Sequence, residues 1–206
     1  MARFIPRRVH FGERPVDDDD DDGGEGLPTP KLLRLRARRL AGIREAAETL
    51  ALLPGPGESL HCLMTARLDM TDVLNALLDK LGRCDTARIS TLGLNRRNYR
   101  AMLRWLDEGK VGELTLLVSK FFKAHNSELF DEMVEEFRRR RQRTTAVDCH
   151  AKVCILSFKS GVRYAIEGSA NLCGNGSARE QFAIIHDVDL CSWHSSWIEA
   201  LGSKHW

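Results

Sequence analysis

Between residues 60 and 201 the chain alternates short apolar runs with amphipathic helical stretches, then ends on apolar runs that no helix separates. Runs at 60–65, 87–92, 113–119, 145–156, 162–167 and 181–186 have the length and β-branched character of strands. Helical spacing of apolar side chains occupies 69–81, 95–107, 127–141 and 190–201, with Asp69 or Thr71 placed to cap the first of these. Strands alternating with helices of this size predict an α/β fold with a mixed sheet flanked by helices. The last three strands would form its antiparallel or mixed portion.

Ahead of this region the register differs. Residues 1–26 hold eight acidic against four basic side chains, a net of −4, so the remainder carries +6 of the whole-chain +2. The aspartates at 17–22 run beside Gly23 and Gly24, and such a run cannot bury a core, so residues 1–27 read as a disordered acidic tail. Residues 28–57 read as a basic helix, with Lys31, Arg34, Arg36, Arg38 and Arg39 among leucines and alanines, closed by a Pro-Gly-Pro-Gly linker at 54–57. Residues 58–206 are then the folded domain.

At 43% hydrophobic and 29% charged residues, the composition is that of a globular protein. No apolar run has the length of a bilayer span, and the arginine-bearing N-terminus lacks a signal-peptide core, so a cytoplasmic location without membrane contact is expected. Six cysteines fall mostly in apolar segments and read as reduced thiols. A zinc site is disfavoured because no Cys-x-x-Cys pair occurs and Cys149 and Cys154 would point to opposite faces of a strand.

Chemistry concentrates in three blocks. Cys149-His150-Ala151-Lys152 leads into the apolar run at 153–156; Glu167-Gly168-Ser169-Ala170-Asn171-Leu172 follows; Glu180-Gln181-Phe182 comes last. On a strand, residues two apart share a face, so His150 and Lys152 would enter one site. Small residues at 168–170 let backbone and hydroxyl approach a ligand closely. A nucleophile or base, a fixed cation, a hydroxyl, a carboxamide and a carboxylate together suit handling of a phosphate ester without a metal.

This arrangement resembles the phospholipase D superfamily, whose signature is His-x-Lys, commonly with a later Asp, then Gly-Ser-x-Asn and a Glu. His150, Lys152, Gly168, Ser169, Asn171 and Glu180 fall on those positions, and Ser157 stands where the family has its aspartate. The wording is similar to small single-motif members from phages and mobile elements, over roughly residues 58–200. The resemblance implies a phospholipase D-like fold of one repeat and a phosphodiesterase without cofactor. The catalytic set would be His150, Lys152, Ser169, Asn171 and Glu180.

In-line displacement through a covalent intermediate needs a nucleophile on one side of phosphorus and an acid on the other. One imidazole cannot serve both, so a single motif implies a homodimer with the site across its two-fold axis. His150 of one subunit would form a phosphohistidine and His150 of the other would protonate the leaving oxygen. Lys152 and Asn171 would hold the non-bridging oxygens, Ser169 would add a hydrogen bond, and Glu180 would orient an imidazole.

Arg138, Arg139, Arg140, Arg141 and Arg143, with Arg96, Arg97 and Arg100, suit a polyanionic backbone, and Trp193, Trp197 and Trp206 could stack on bases. Nucleic acid, DNA or RNA, is therefore the expected partner and a nuclease the expected activity. The alternatives are a nucleic-acid-binding module without turnover, which Ser157 favours, and a phospholipid or small-phosphodiester hydrolase.

Overall fold

The computed structural model describes residues 46, 48–64, 69–173 and 179–203. The acidic run, most of the basic segment and Trp206 lie outside the described residues.

Among the described residues, seven strands form one sheet: β1 (Ser59–Met64), β2 (Cys84–Thr91), β3 (Val111–Ser119), β4 (Arg143–Val147), β5 (Val153–Phe158), β6 (Arg163–Gly168) and β7 (Glu180–Ile185). Their spatial order is β1-β7-β6-β5-β2-β3-β4. β2, β3 and β4 run parallel, while β5 is antiparallel to β2 and the β5-β6-β7-β1 part is antiparallel throughout. The fold is thus the mixed α/β sheet that the sequence pattern predicts, with the antiparallel portion where expected.

Five helices with both ends among the described residues cover it: α1 (Met70–Leu81), α2 (Arg96–Asp107), α3 (Lys120–His125), α4 (Ser127–Arg139) and α5 (Val188–Gly202). Helix α1 starts at a capping box, in which Asp69 accepts from the Thr71 amide and the Asp72 carboxylate accepts from the Asp69 amide. Its apolar stripe Val73, Leu74, Leu77, Leu78 recurs at helical spacing and is buried. Asn95 caps α2, whose Tyr99, Met102 and Trp105 face inward, and α4 buries Phe130, Met133 and Phe137. Tyr99 and Phe137 stack across these two helices with centroids 6.3 Å apart.

These side chains, with Ile89, Leu114, Leu116, Cys154, Leu156 and Phe182, form the main core on one face of the sheet. Burying each such large side chain contributes about 1.5–3 kcal/mol. The opposite face carries α5, capped by Asp187, over a smaller cluster of Leu117, Val147, Val153, Ile155, Ala165, Cys191 and Ile198. Cys154 and Cys149 pack into different clusters, on opposite faces, and none of the six cysteines is in a disulfide. No helix among the described residues is long and apolar enough to cross a membrane.

Two expectations are corrected and one helix is added. The run at 145–156 is two strands, β4 and β5, which are not neighbours, because β2 and β3 lie between them. Helix α3 occupies residues to which the sequence pattern assigns no element; Ser119 caps it by accepting from the Phe122 amide and Phe122 anchors it in the core. Helix α4 ends at Arg139 rather than 141, and Arg141 takes a left-handed conformation, φ 57°, that stops it.

Candidate active site

Strands β4 and β5 both meet one edge of the sheet, β4 with its last residue and β5 with its first. Three strand spacings separate them, roughly 14 Å. The segment 148–152 bridges that gap across the carboxyl ends of β3 and β2. Ser90, near the end of β2, fastens the crossing: its Oγ donates to the Ala151 carbonyl at 3.0 Å and lies 3.9 Å from Cys149 Sγ. Cys149 and Ala151 pack against the α5-side cluster, while His150 is exposed and Lys152 half-buried.

His150 and Lys152 are therefore not on a strand, which corrects the expectation. Both stand instead on the crossing segment between β4 and β5. Lys152 Nζ donates to the His150 carbonyl at 3.0 Å.

The second block joins the first through the backbone. The Gly168 amide donates to the Lys152 carbonyl at 3.3 Å, and Val153 stands opposite Glu167 in the β5–β6 pair. Glycine is required at 168: a Cβ there would lie 2.2 Å from the Gln181 carbonyl oxygen and 2.9 Å from Phe182 Cα. The turn after it is held from several sides. Leu172 receives the Asn95 amide on its carbonyl and donates its own amide to Thr91 Oγ1. The Asn171 carboxamide oxygen accepts from the Leu92 amide at 3.2 Å. That contact fixes the carboxamide and leaves its NH₂ as the donating end.

Ser169 is exposed; its Oγ donates to the Glu180 carboxylate and accepts from the Gln181 amide. Glu180, the first residue of β7, thus touches Ser169 and no described imidazole. Cys173 lies nearby: burial chiefly pushes its thiol up, Asp69 and Glu180 add to this, and Lys152 opposes it.

His150, Lys152, Ser169, Asn171 and Glu180 accordingly converge on one edge, where β2, β3, β4 and β6 end and β5 and β7 begin. Outside the carboxyl ends of parallel strands is the usual ligand position of open α/β sheets. Ser157 is far from it, paired with Thr86 toward the opposite edge, roughly 16 Å along β5 from Lys152.

The arginines form a separate group. Arg138, Arg139, Arg140, Arg141 and Arg143 close α4 and open β4, at the opposite edge of the sheet. Arg138 pairs with Glu135, Arg139 with Glu135 and Glu136, Arg140 with Glu136 and Asp107, and Arg143 lies 3.8 Å from Glu113. These guanidiniums hold the Asp107 and Glu136 carboxyls below the usual carboxylate range. Arg96 pairs with Glu132 and Arg97 with Asp72.

Two supports escaped sequence reasoning. Asn98, wholly buried, donates to both Asp69 carboxylate oxygens at 3.0 Å and to the Leu172 carbonyl at 2.9 Å, tying the α1 cap to the turn. Beyond the Asp69-x-x-Asp72 box, nothing in the sequence signals that tie. Glu167, before Gly168, pairs with buried His194 of α5, whose Nδ1 accepts from Trp197 Nε1 at 2.9 Å. The helical spacing of His194 and Trp197 was the available signal for their contact. Trp197 is therefore occupied within the fold, while Trp193 is 63% exposed.

No family model matches the sequence, and no curated protein does. Solved structures do match. Nuc from Salmonella typhimurium, a phospholipase D family member, is similar at TM-score 0.50 and 8% identity, over 69% of this chain and 92% of that one. A polyphosphate kinase from Porphyromonas gingivalis matches at 0.53 and 14% identity, over 75% of this chain and 28% of its own. The archaeal chromatin protein TrmBL2 matches at 0.50 and 10% identity, over 84% and 61%. The fold is a mixed α/β sheet of the phospholipase D type. In particular, this chain has the fold of the phospholipase D superfamily, as the His-x-Lys and Gly-Ser-x-Asn blocks imply.

Proposed function

We propose that the chain is a phosphodiesterase of the phospholipase D kind, a nuclease that cleaves DNA or RNA through a phosphohistidine at a homodimer interface. The observation that carries this reading is the meeting of two sequence-distant blocks at one sheet edge, through the bond from the Gly168 amide to the Lys152 carbonyl.

His150 Nε2 of one subunit attacks phosphorus in line with the bond to be broken. The P–N bond forms as the P–O bond to the leaving group breaks, and His150 of the second subunit delivers its proton to the departing oxygen. The second imidazole then takes a proton from water, which attacks phosphorus and releases the first histidine. Lys152 and the Asn171 NH₂ face the non-bridging oxygens, where charge gathers in the transition state. Ser169, held by Glu180, keeps the turn closed on the crossing segment. These cations and amides supply the charge stabilisation, so the reading needs no metal.

The arginines at the far edge enter only as contacts of a long polyanion, away from the cleaved bond. Because Arg138, Arg139 and Arg140 already face carboxylates, their replacement would weaken binding modestly and flatten its salt dependence.

The test is incubation with end-labelled single- and double-stranded DNA and RNA in EDTA, beside His150→Ala. Cleavage by the parent and its loss by a factor of about 10³ or more in the variant is the expected result. Full activity in His150→Ala would refute the phosphohistidine. Binding without cleavage would favour the second reading, a binding module. Ser157 and the similarity to a chromatin protein described as DNA-binding support that one.

A further inference from the structure

Helix α3 starts where β3 reaches the edge that holds His150 and Asn171. Its link to the site is short. The Asn171 carboxamide holds the Leu92 amide, the Leu92 carbonyl accepts from Ser119 Oγ at 2.5 Å, and Ser119 caps α3.

On this helix the two adjacent phenylalanines part company. Phe122 is buried, packed where Gly93 leaves room, whereas Phe121 is 61% exposed. His125 lies against the Phe121 ring with centroids 4.0 Å apart and planes tilted 32°, and its Nδ1 is 2.9 Å from the Phe121 carbonyl. Lys120 and Lys123 flank the pair. Neither is ion-paired with a described carboxylate, and Lys123 Nζ sits 5.1 Å above the Phe130 ring. By contrast, most of the arginines at the other edge are matched by carboxylates.

An exposed aromatic ring braced by an imidazole, on a helix whose two lysines are ion-paired with no described carboxylate, fits a ligand that carries a flat apolar face and a negative backbone together. Resting on the function proposed above, we infer that Phe121, with His125, Lys120 and Lys123, is a stacking platform for an unpaired nucleobase, so the substrate class is single-stranded nucleic acid. A duplex hides its base faces within its own stack and could offer this ring only a frayed end or an extruded base. The lysines meet the adjoining phosphates whatever the sequence, so the platform selects strandedness rather than bases.

Fluorescence anisotropy of the full chain tests this, with His150→Ala as background in every arm so that nothing is cleaved. The probes are a labelled single-stranded oligodeoxynucleotide about a dozen nucleotides long and an abasic strand of equal length and charge. Phe121→Ala should weaken the base-bearing strand about tenfold and leave the abasic strand within about twofold, and Phe121→Trp should restore binding. Circular dichroism should stay unchanged, because the ring is exposed.

Several outcomes overturn the inference: equal affinity of the background protein for both strands, equal losses on both, or a loss that follows Trp193→Ala instead. So do Phe121-dependent binding to anionic phosphatidylglycerol vesicles with none to oligonucleotides, and Phe121→Ala dissociating a dimer. Cleavage in EDTA combined with base-blind binding sinks the platform and leaves the nuclease standing. Binding to neither strand removes both.

Discussion

Gly168 is where the site is least tolerant. Its α-carbon sits so close to β7 that a methyl group would meet backbone rather than a movable side chain. Gly168→Ala must part β6 from β7 at the position where Gly168 pairs with Phe182, and so shift Ser169 and the Lys152 contact together. The expected cost is about 3 kcal/mol, at the upper end of overpacking effects, read as a lower denaturation midpoint. Unchanged stability would mean that the strands are not this close. The need for a small residue here was legible from the Gly-Ser-Ala-Asn wording, but its partner was not. Likewise His150, Lys152 and Asn171 could be picked out as chemically equipped, while Asn98 could not. An asparagine in a helix looks like a surface residue until the fold brings it onto the Asp69 carboxylate and the Leu172 carbonyl. Pairings between residues so distant in sequence have no local signature.

At the scale of elements, the misread segment is instructive. Thr145 to Leu156 has no glycine or proline to punctuate it, and Cys149 and Ala151 alternate with polar neighbours, so it carries the period of one strand. The break is tertiary: β5 pairs with β2, not with β3, and the chain must cross both strand ends to reach its place. A crossing segment without a ladder partner and a strand can carry the same sequence period and differ in where their amides go. Amides of Asp148, Cys149 and His150 donate to no described backbone acceptor, whereas β5 is bonded on both sides. Hydrogen exchange followed by mass spectrometry should show 148–150 exchanging at least about a hundredfold faster than Ile155 and Leu156. Equal protection would restore the continuous strand. Helix α3 was hidden in a similar way, because Phe121 and Phe122 extend the apolar run of β3 and only the Ser119 cap marks the change.

For the whole molecule, the sheet separates two chemistries. One edge gathers the candidate catalytic groups and the unmatched lysines of α3; the other holds arginines largely matched by carboxylates. One described His-x-Lys faces solvent at the first edge, where a second copy would have to supply the other imidazole. If two copies share one reacting centre, a dimer with one His150→Ala subunit has lost either its nucleophile or its acid and should not turn over. At equilibrium with an equal amount of His150→Ala, activity per total chain should then be about a quarter of the wild-type value, the fraction of dimers with both histidines. Independent sites would retain about a half. Sedimentation equilibrium on the same samples should give twice the chain mass, and a fully active monomer would defeat the two-histidine mechanism. Raising the excess of His150→Ala sharpens the contrast, since activity should fall as the square of the wild-type fraction. A linear decline would place a complete reacting centre within each chain.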